Sequence, residues 1–189
     1  MAISTDHLRT RMKIIQGSFS SADRRSVTNA LADIGENFLA SGGRKVIAGF
    51  FPVGDQITPL LLMQALFHRQ LPLALPRLDD QDELRFYSWW PGAKLNTQSG
   101  GIPEPLDSEE EVSPDYLLVP MLGFDQMGNR LGFGNGFYTK AISSVRSRKE
   151  TIIVGVGFAE QELGQVLESD EEGRLDWIIT QKGLRGLTQ

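Results

Sequence analysis

The stretch Gly128-Asn129-Arg130-Leu131-Gly132-Phe133-Gly134-Asn135-Gly136-Phe137-Tyr138 decides how this chain is read. Three glycines at alternate positions, Gly132, Gly134 and Gly136, follow an arginine and precede an aromatic pair. A backbone without side chains at every second residue can turn its amide hydrogens inward around an anion, and Arg130 adds a guanidinium fork. Upstream, Tyr116-Leu117-Leu118-Val119-Pro120 is a short apolar run ended by proline; downstream, Phe137 to Val145 reads as the start of a helix. A loop that leaves a buried strand and enters a helix sets ligands at the carboxyl edge of an α/β sheet, where the helix N-terminus favours negative charge. The pattern predicts a phosphate-binding loop, against the plainer reading of a glycine-rich turn.

Outward from the loop, apolar spacing alternates between two patterns. Leu8, Met12 and Ile15 recur at helical spacing, and after Gly17 a second set runs Val27, Ala30, Leu31, Ile34 and Phe38, introduced by Ser20 with Asp23 as a capping box. Gly42 and Gly43 end this helical opening, and Lys45 to Phe51 has strand length and stops at Pro52. Thr58-Pro59 reads as an N-cap with proline at the first helical position, leading a helix to about Arg69. Leu71 to Leu75 is a further strand closed by Pro76, a hairpin-like region contains Leu84 to Trp89, and strands follow at Tyr116 to Val119, Thr151 to Val156 and Trp177 to Thr180. Short, continuously apolar strands alternating with helices predict an α/β fold with a mostly parallel sheet flanked by helices. The length suits a single domain, residues 1–189, with 1–41 as N-terminal helices packing on the α/β core.

Composition removes whole classes of function. No cysteine occurs among the 189 residues, which excludes disulfides and thiolate metal sites and is compatible with a reducing cytoplasm. A net charge of −5 argues against broad binding to nucleic acid or anionic membranes, and no run approaches the ~18 apolar residues of a membrane span. A soluble cytoplasmic protein is expected, of oligomeric state that composition does not reveal. The two histidines, His7 and His68, both fall in predicted helices, so neither a Ser-His-Asp triad nor a multi-histidine metal site is expected. Acidic patches at Asp107 to Glu111 and Glu168 to Glu172 read as solvated loop charges. Gly155-Val156-Gly157 stands too late for a dinucleotide fingerprint, which belongs after the first strand. Gly100 to Pro105 has no regular period and two prolines. It reads either as a connection or as a rigid loop walling a pocket for a flat ligand, with Trp89 and Trp90 as stacking surfaces.

Strand, proline, then Gly123-Phe124-Asp125, Gly128-Asn129-Arg130-Leu131-Gly132 and Gly136-Phe137-Tyr138 resembles the signature of the 5-formyltetrahydrofolate cyclo-ligase family, also called 5,10-methenyltetrahydrofolate synthetase. The resemblance runs through nearly the whole chain: Phe51-Pro52-Val53-Gly54 before a helix, Leu75-Pro76-Arg77, Pro91-Gly92, Gly101-Ile102-Pro103-Glu104-Pro105 and Leu175-Asp176. It implies an ATP-dependent ligase that closes 5-formyltetrahydrofolate to 5,10-methenyltetrahydrofolate with release of ADP and phosphate. The implied fold is similar to the NagB/RpiA/CoA-transferase group. In the family's scheme the formyl oxygen attacks the γ-phosphate, and a folate nitrogen then displaces phosphate from the activated carbon. Such a reaction asks for positioning and charge stabilisation more than for a covalent nucleophile.

By position, the resemblance assigns Arg9, Arg130, Gly132, Gly134, Gly136 and Tyr138 to the nucleotide and Gln56 to the reduced folate, and the pocket-wall reading of the 100–105 loop adds Trp90 and Pro103 as folate-binding residues. Arg130 and Gln56 take the catalytic roles, with ATP and Mg²⁺ as implied cofactors. Thr5 stands where the family has a lysine, Thr139 where it has a Mg²⁺-associated aspartate, Gln56 where it has a folate-side glutamate, and Glu171-Glu172 where it has His-Asp. Phe137 falls where the family prefers another tyrosine. Arg11 or Lys13 near the phosphates, and Asp125 or Glu172 near the cation, are the groups placed to compensate. The departures leave open an enzyme of weakened activity and, as the alternative, a non-catalytic folate- or nucleotide-binding relative. A sugar-phosphate or acyl-CoA enzyme is a third, weaker reading.

Overall fold

In chain order the elements are helices α1 (Thr5–Ser18) and α2 (Ser21–Ala40), strand β1 (Ile47–Ala48), helix α3 (Leu60–His68), and strands β2 (Leu73–Leu78), β3 (Leu84–Trp89), β4 (Leu95–Thr97), β5 (Pro103–Pro105), β6 (Tyr116–Pro120), β7 (Gly123–Phe124) and β8 (Arg130–Leu131). Helix α4 (Phe137–Arg148) and strands β9 (Ile152–Val156), β10 (Trp177–Thr180) and β11 (Gly183–Gly186) complete them. This computed structural model describes residues 4–97, 101–166 and 173–187. Gly100 and the acidic run at 168–172, with Glu171 and Glu172, lie outside the described residues.

Seven strands share one sheet in the order β11-β10-β9-β6-β1-β2-β3. The five inner strands are parallel, while β3 and β11 run antiparallel at the two edges. From β1 the chain winds through β2 to one side; from β6 it winds through β9 and β10 to the other. The winding therefore reverses between β1 and β6. In open α/β sheets the crevice outside the carboxyl ends of the strands at such a reversal is where ligands bind.

Side-chain alternation along β6 shows how both faces are covered. Leu118 joins Ile47, Leu62, Leu66 and Ile179 under α2 and α3. Leu117 and Val119 face the opposite way, onto Ala141, Ile142 and Val145 of α4. Each large aliphatic side chain buried this way contributes roughly 1.5–3 kcal/mol. The predicted capping box at the head of α2 is formed: Ser20 Oγ accepts from the Asp23 N–H at 3.2 Å, and the Asp23 carboxylate accepts from the Ser20 N–H at 3.1 Å.

Several boundaries differ from the expectations. Helix α3 begins at Leu60, with Pro59 as the capping residue and Thr58 Oγ1 accepting from the Leu60 N–H at 3.3 Å. Strand β2 does not stop before Pro76 but runs through it to Leu78. The carbonyls of Pro72 and Ala74 both point to β1, so the missing N–H of Pro76 faces the same side, past the end of that two-residue strand, and no ladder bond is lost. The hairpins β4–β5 and β7–β8 and the edge strand β11 were not expected. No helix among the described residues is long and apolar enough to cross a membrane.

Candidate active site

The glycine loop leaves the sheet from the carboxyl end of β6, and its entry is fixed by one buried carboxylate. Asp125 Oδ1 accepts from the N–H groups of Met127 at 2.9 Å and Asn129 at 3.0 Å. Its Oδ2 accepts from Asn129 Nδ2 and from the Val166 N–H, both at 2.9 Å. Four N–H donors thus saturate this carboxylate, and it serves as the tie of the β7–β8 turn. The expectation that Asp125 reaches a cation is corrected on that ground.

Arg130 follows the turn and lies over the end of β6. Its Nη1 donates to the Pro120 carbonyl at 3.3 Å and its Nη2 to Thr139 Oγ1 at 3.2 Å. Its Nε is buried with no partner, and no carboxylate among the described residues pairs with it. Burial in this setting pushes the guanidinium down to about 10, with the nearby Tyr138 acting the other way. Burial likewise pushes the Tyr138 phenol up, so it stays protonated and is a donor or a wall, not a base. Gly132 makes room for the arginine: a Cβ there would stand 3.1 Å from Nη1 and 3.3 Å from Nη2.

Beyond Gly132 the backbone is rich in unengaged donors. The N–H groups of Phe133, Gly134, Asn135 and Gly136 find no acceptor among the described residues. Gly136, at φ +71°, caps α4 without a side-chain bond, and the first turn of that helix carries no acidic residue. A helix N-terminus open in this way favours an anion.

A second cation comes from the start of the chain. Arg9 Nε donates to the Gly132 carbonyl at 3.2 Å, and its Nη1 pairs with Asp6 at 2.9 Å. Helix α1 is seated for this by Met12, Leu8 and Ile15, which pack with Leu122, Leu131, Val166 and Phe133. Gln16, buried on the same helix, donates to the Met121 carbonyl at 3.1 Å, and Gln161 donates to that carbonyl at 2.8 Å. Sequence reasoning missed this seat. Its signal was a glutamine four residues after Met12 on an otherwise apolar helix face.

Together these elements wall a cleft of about 430 Å³ at the winding reversal. Arg9, Arg130, Gly132, Gly134, Gly136, Tyr138 and Thr139 line one side; Phe50, Phe51 and Gln56, after β1, line another; and Pro76, Leu78, Pro103 and Glu104 close it. Gln56 Oε1 accepts from the Val53 N–H at 3.0 Å. Trp90 does not line the cleft and is 44% exposed, and Trp89 is buried with its ring 6.3 Å from that of Phe51. Thr5, Arg11 and Lys13 also stand outside it. The acidic patch after β5 is dispersed into ion pairs, Asp107 with Arg77 and Glu111 with Arg148.

The described residues do not fit a magnesium cage built by the protein. They include no group of three or more metal-ligating side chains. Thr139 contributes a hydroxyl that Arg130 already engages, and Asp125 is saturated. The side of the cleft that would meet phosphates is cationic.

A model of the 5-formyltetrahydrofolate cyclo-ligase family matches residues 2–181 of the chain. A Haemophilus influenzae relative named 5-formyltetrahydrofolate cyclo-ligase is 26% identical over 162 residues, 82% of this chain and 86% of that protein. The Mus musculus protein of that name is 26% identical over 147 residues, 71% of this chain and 72% of its own. The solved structure of Aquifex aeolicus 5,10-methenyltetrahydrofolate synthetase matches with a TM-score of 0.78 at 25% identity, covering 99% of this chain and 94% of that one. That of the Mycoplasma pneumoniae synthetase matches at 0.74 and 19% identity, covering 95% and 99%, which is a likeness of fold.

Proposed function

Since this chain belongs to the 5-formyltetrahydrofolate cyclo-ligase family, we propose that its cleft closes 5-formyltetrahydrofolate to 5,10-methenyltetrahydrofolate while ATP becomes ADP and phosphate. The chain is a ligase of folate one-carbon metabolism. The reading places its work in the cytoplasm.

One observation supports the nucleotide half of the reading: among the described residues Arg130 is a guanidinium without a carboxylate partner, beside a run of N–H donors at the head of α4 that none of them engages. A triphosphate supplies the negative charge that this set lacks. In phosphoryl transfer to the formyl oxygen, charge spreads over the equatorial oxygens of the moving group, and donors fixed beforehand stabilise it without reorganising. Arg130 and Arg9 are held by backbone carbonyls at Pro120 and Gly132, so both are preset. Gln56, Phe51 and Pro103 are assigned to the folate on the remaining walls. Magnesium would arrive with the nucleotide, whose phosphate oxygens would replace most protein ligands.

Thr139 in contact with Arg130, where a carboxylate would neutralise it, favours a second reading, a folate- or nucleotide-binding relative without turnover. Purified protein mixed with 5-formyltetrahydrofolate and Mg-ATP separates the two by the absorbance of the methenyl product. Continuous ATP-dependent product formation is expected. Tight folate binding with no product over hours would replace the ligase reading with the binding one.

A further inference from the structure

The lining of the cleft includes a carboxylate to which the proposed reaction gives no role. Glu104 lies on β5, where Pro103 and Pro105 fix the backbone on either side and Asn96 faces it across the ladder with β4. Just beyond, Arg77 holds the chain: its Nη1 donates to the Leu106 carbonyl at 2.9 Å and pairs with Asp107 at 3.2 Å, and its guanidinium lies 3.8 Å from the centre of the Tyr87 ring. Glu104 is half-buried and lines the cleft. Glu83, Asp107 and Glu111 are all paired with arginines, whereas the Glu104 carboxylate has no hydrogen bond or ion pair with any described residue.

Its neighbours along the cleft sharpen the contrast. Gln56 commits its Oε1 to the Val53 N–H, so the amide group it has left to offer is a donor. Arg9 and Arg130 are cations. Among the described residues that line the cleft, Glu104 is the one carboxylate, in a lining that also holds the guanidiniums of Arg9 and Arg130. A ligand suited to such a lining carries anionic groups for the arginines and a flat edge of paired N–H donors for the carboxylate.

Resting on the folate reading of this cleft, we infer that Glu104 binds the pterin ring, its two oxygens accepting from the ring N3–H and the 2-amino group. An amide at this position would oppose one of those donors with another donor. Glu104 is then the residue that distinguishes the N3–H and 2-amino edge of the pterin from a ring lacking it.

Binding and steady-state kinetics on the full chain test this. Glu104→Gln is expected to weaken 5-formyltetrahydrofolate binding and raise its KM by roughly ten- to a hundredfold, with ADP affinity and the KM for ATP unchanged. p-Aminobenzoylglutamate, which lacks the pterin, should bind wild type and variant alike, and Glu104→Asp should recover part of the loss. Equal folate affinity in wild type and Glu104→Gln overturns the inference and leaves the family reading intact. An equal loss for the pterin-free fragment, or a loss of ADP affinity, also overturns it, as does a changed Mg²⁺ requirement at unaltered folate affinity. Wild-type protein that binds ADP but not 5-formyltetrahydrofolate overturns the folate reading along with it.

Discussion

Replacing Arg130 with methionine should leave the protein about as stable and nearly useless to a nucleotide. Burial holds the guanidinium near 10, well below its ordinary range. Each tenfold loss of proton affinity corresponds to about 1.4 kcal/mol, so keeping the charged form in place costs the fold about 3 kcal/mol. Against this stand two long hydrogen bonds, to Pro120 at 3.3 Å and Thr139 at 3.2 Å, each contributing about 1 kcal/mol. The two nearly offset, so methionine should leave Tm within about 2–4 °C of wild type for a chain of this size. The same variant gives up charge-assisted contacts to phosphate at about 1.5–3 kcal/mol each, a loss of roughly a hundredfold in ADP affinity. Thermal denaturation with and without ADP, paired with calorimetry, reads both effects. A Tm that falls by several degrees would show the guanidinium to be a structural brace, and unchanged ADP affinity would show that it does not meet phosphate; either result refutes the reasoning.

Gly132→Ala brings a Cβ to 3.1 Å from Arg130 Nη1, so it should displace the guanidinium and lower kcat/KM by about tenfold or more with little change in Tm, a split visible in kinetics and melting together. Because Arg130 sits near 10, it is charged at neutral pH, and its contribution to ADP affinity should hold steady from about pH 7 to 9 and fall by about tenfold per pH unit beyond 10, measured by calorimetry. The stability effect has the opposite sign: the unfolded chain binds the proton more tightly, so the cost of this group to the fold is progressively relieved as pH rises above 10. Ser20→Ala removes the capping box of α2 and should lower Tm by about 2–4 °C, a loss of about 1 kcal/mol, while kcat and KM stay at wild-type values because α2 does not line the cleft.

Long amphipathic patterns were legible. The faces of α1 and α2 read from Met12 and Leu31 outward are the buried ones, and the sheet's parallel centre follows from the unbroken apolar runs of β6 and β9. Two- and three-residue pairings were not, because β7 with β8 and β4 with β5 are too short to establish a period. Pro76 misled for a local reason: a proline ends a strand only where its N–H was needed. In the site, alternate glycines pointed to the loop because backbone shape is written in glycine. Arg9 was visible only through the resemblance, since nothing in the sequence brings residue 9 to residue 132. Asp125 was misjudged because a carboxylate's availability depends on what surrounds it; the turn-forming Gly128-Asn129 that follows was the local hint of its capture.

The hydrogen bond from Arg9 to Gly132 spans 123 positions of the chain, and that from Gln16 to Met121 spans 105. During synthesis α1 leaves the ribosome long before its seat exists. Until the glycine loop and Val166 follow, Leu8, Met12 and Ile15 have no apolar surface from this cluster to pack on. Contacts of such long range form slowly, so the arginine-lined cleft is among the last parts of the molecule to be assembled, and a nascent chain stalled before residue 130 carries Arg9 without the loop that receives it.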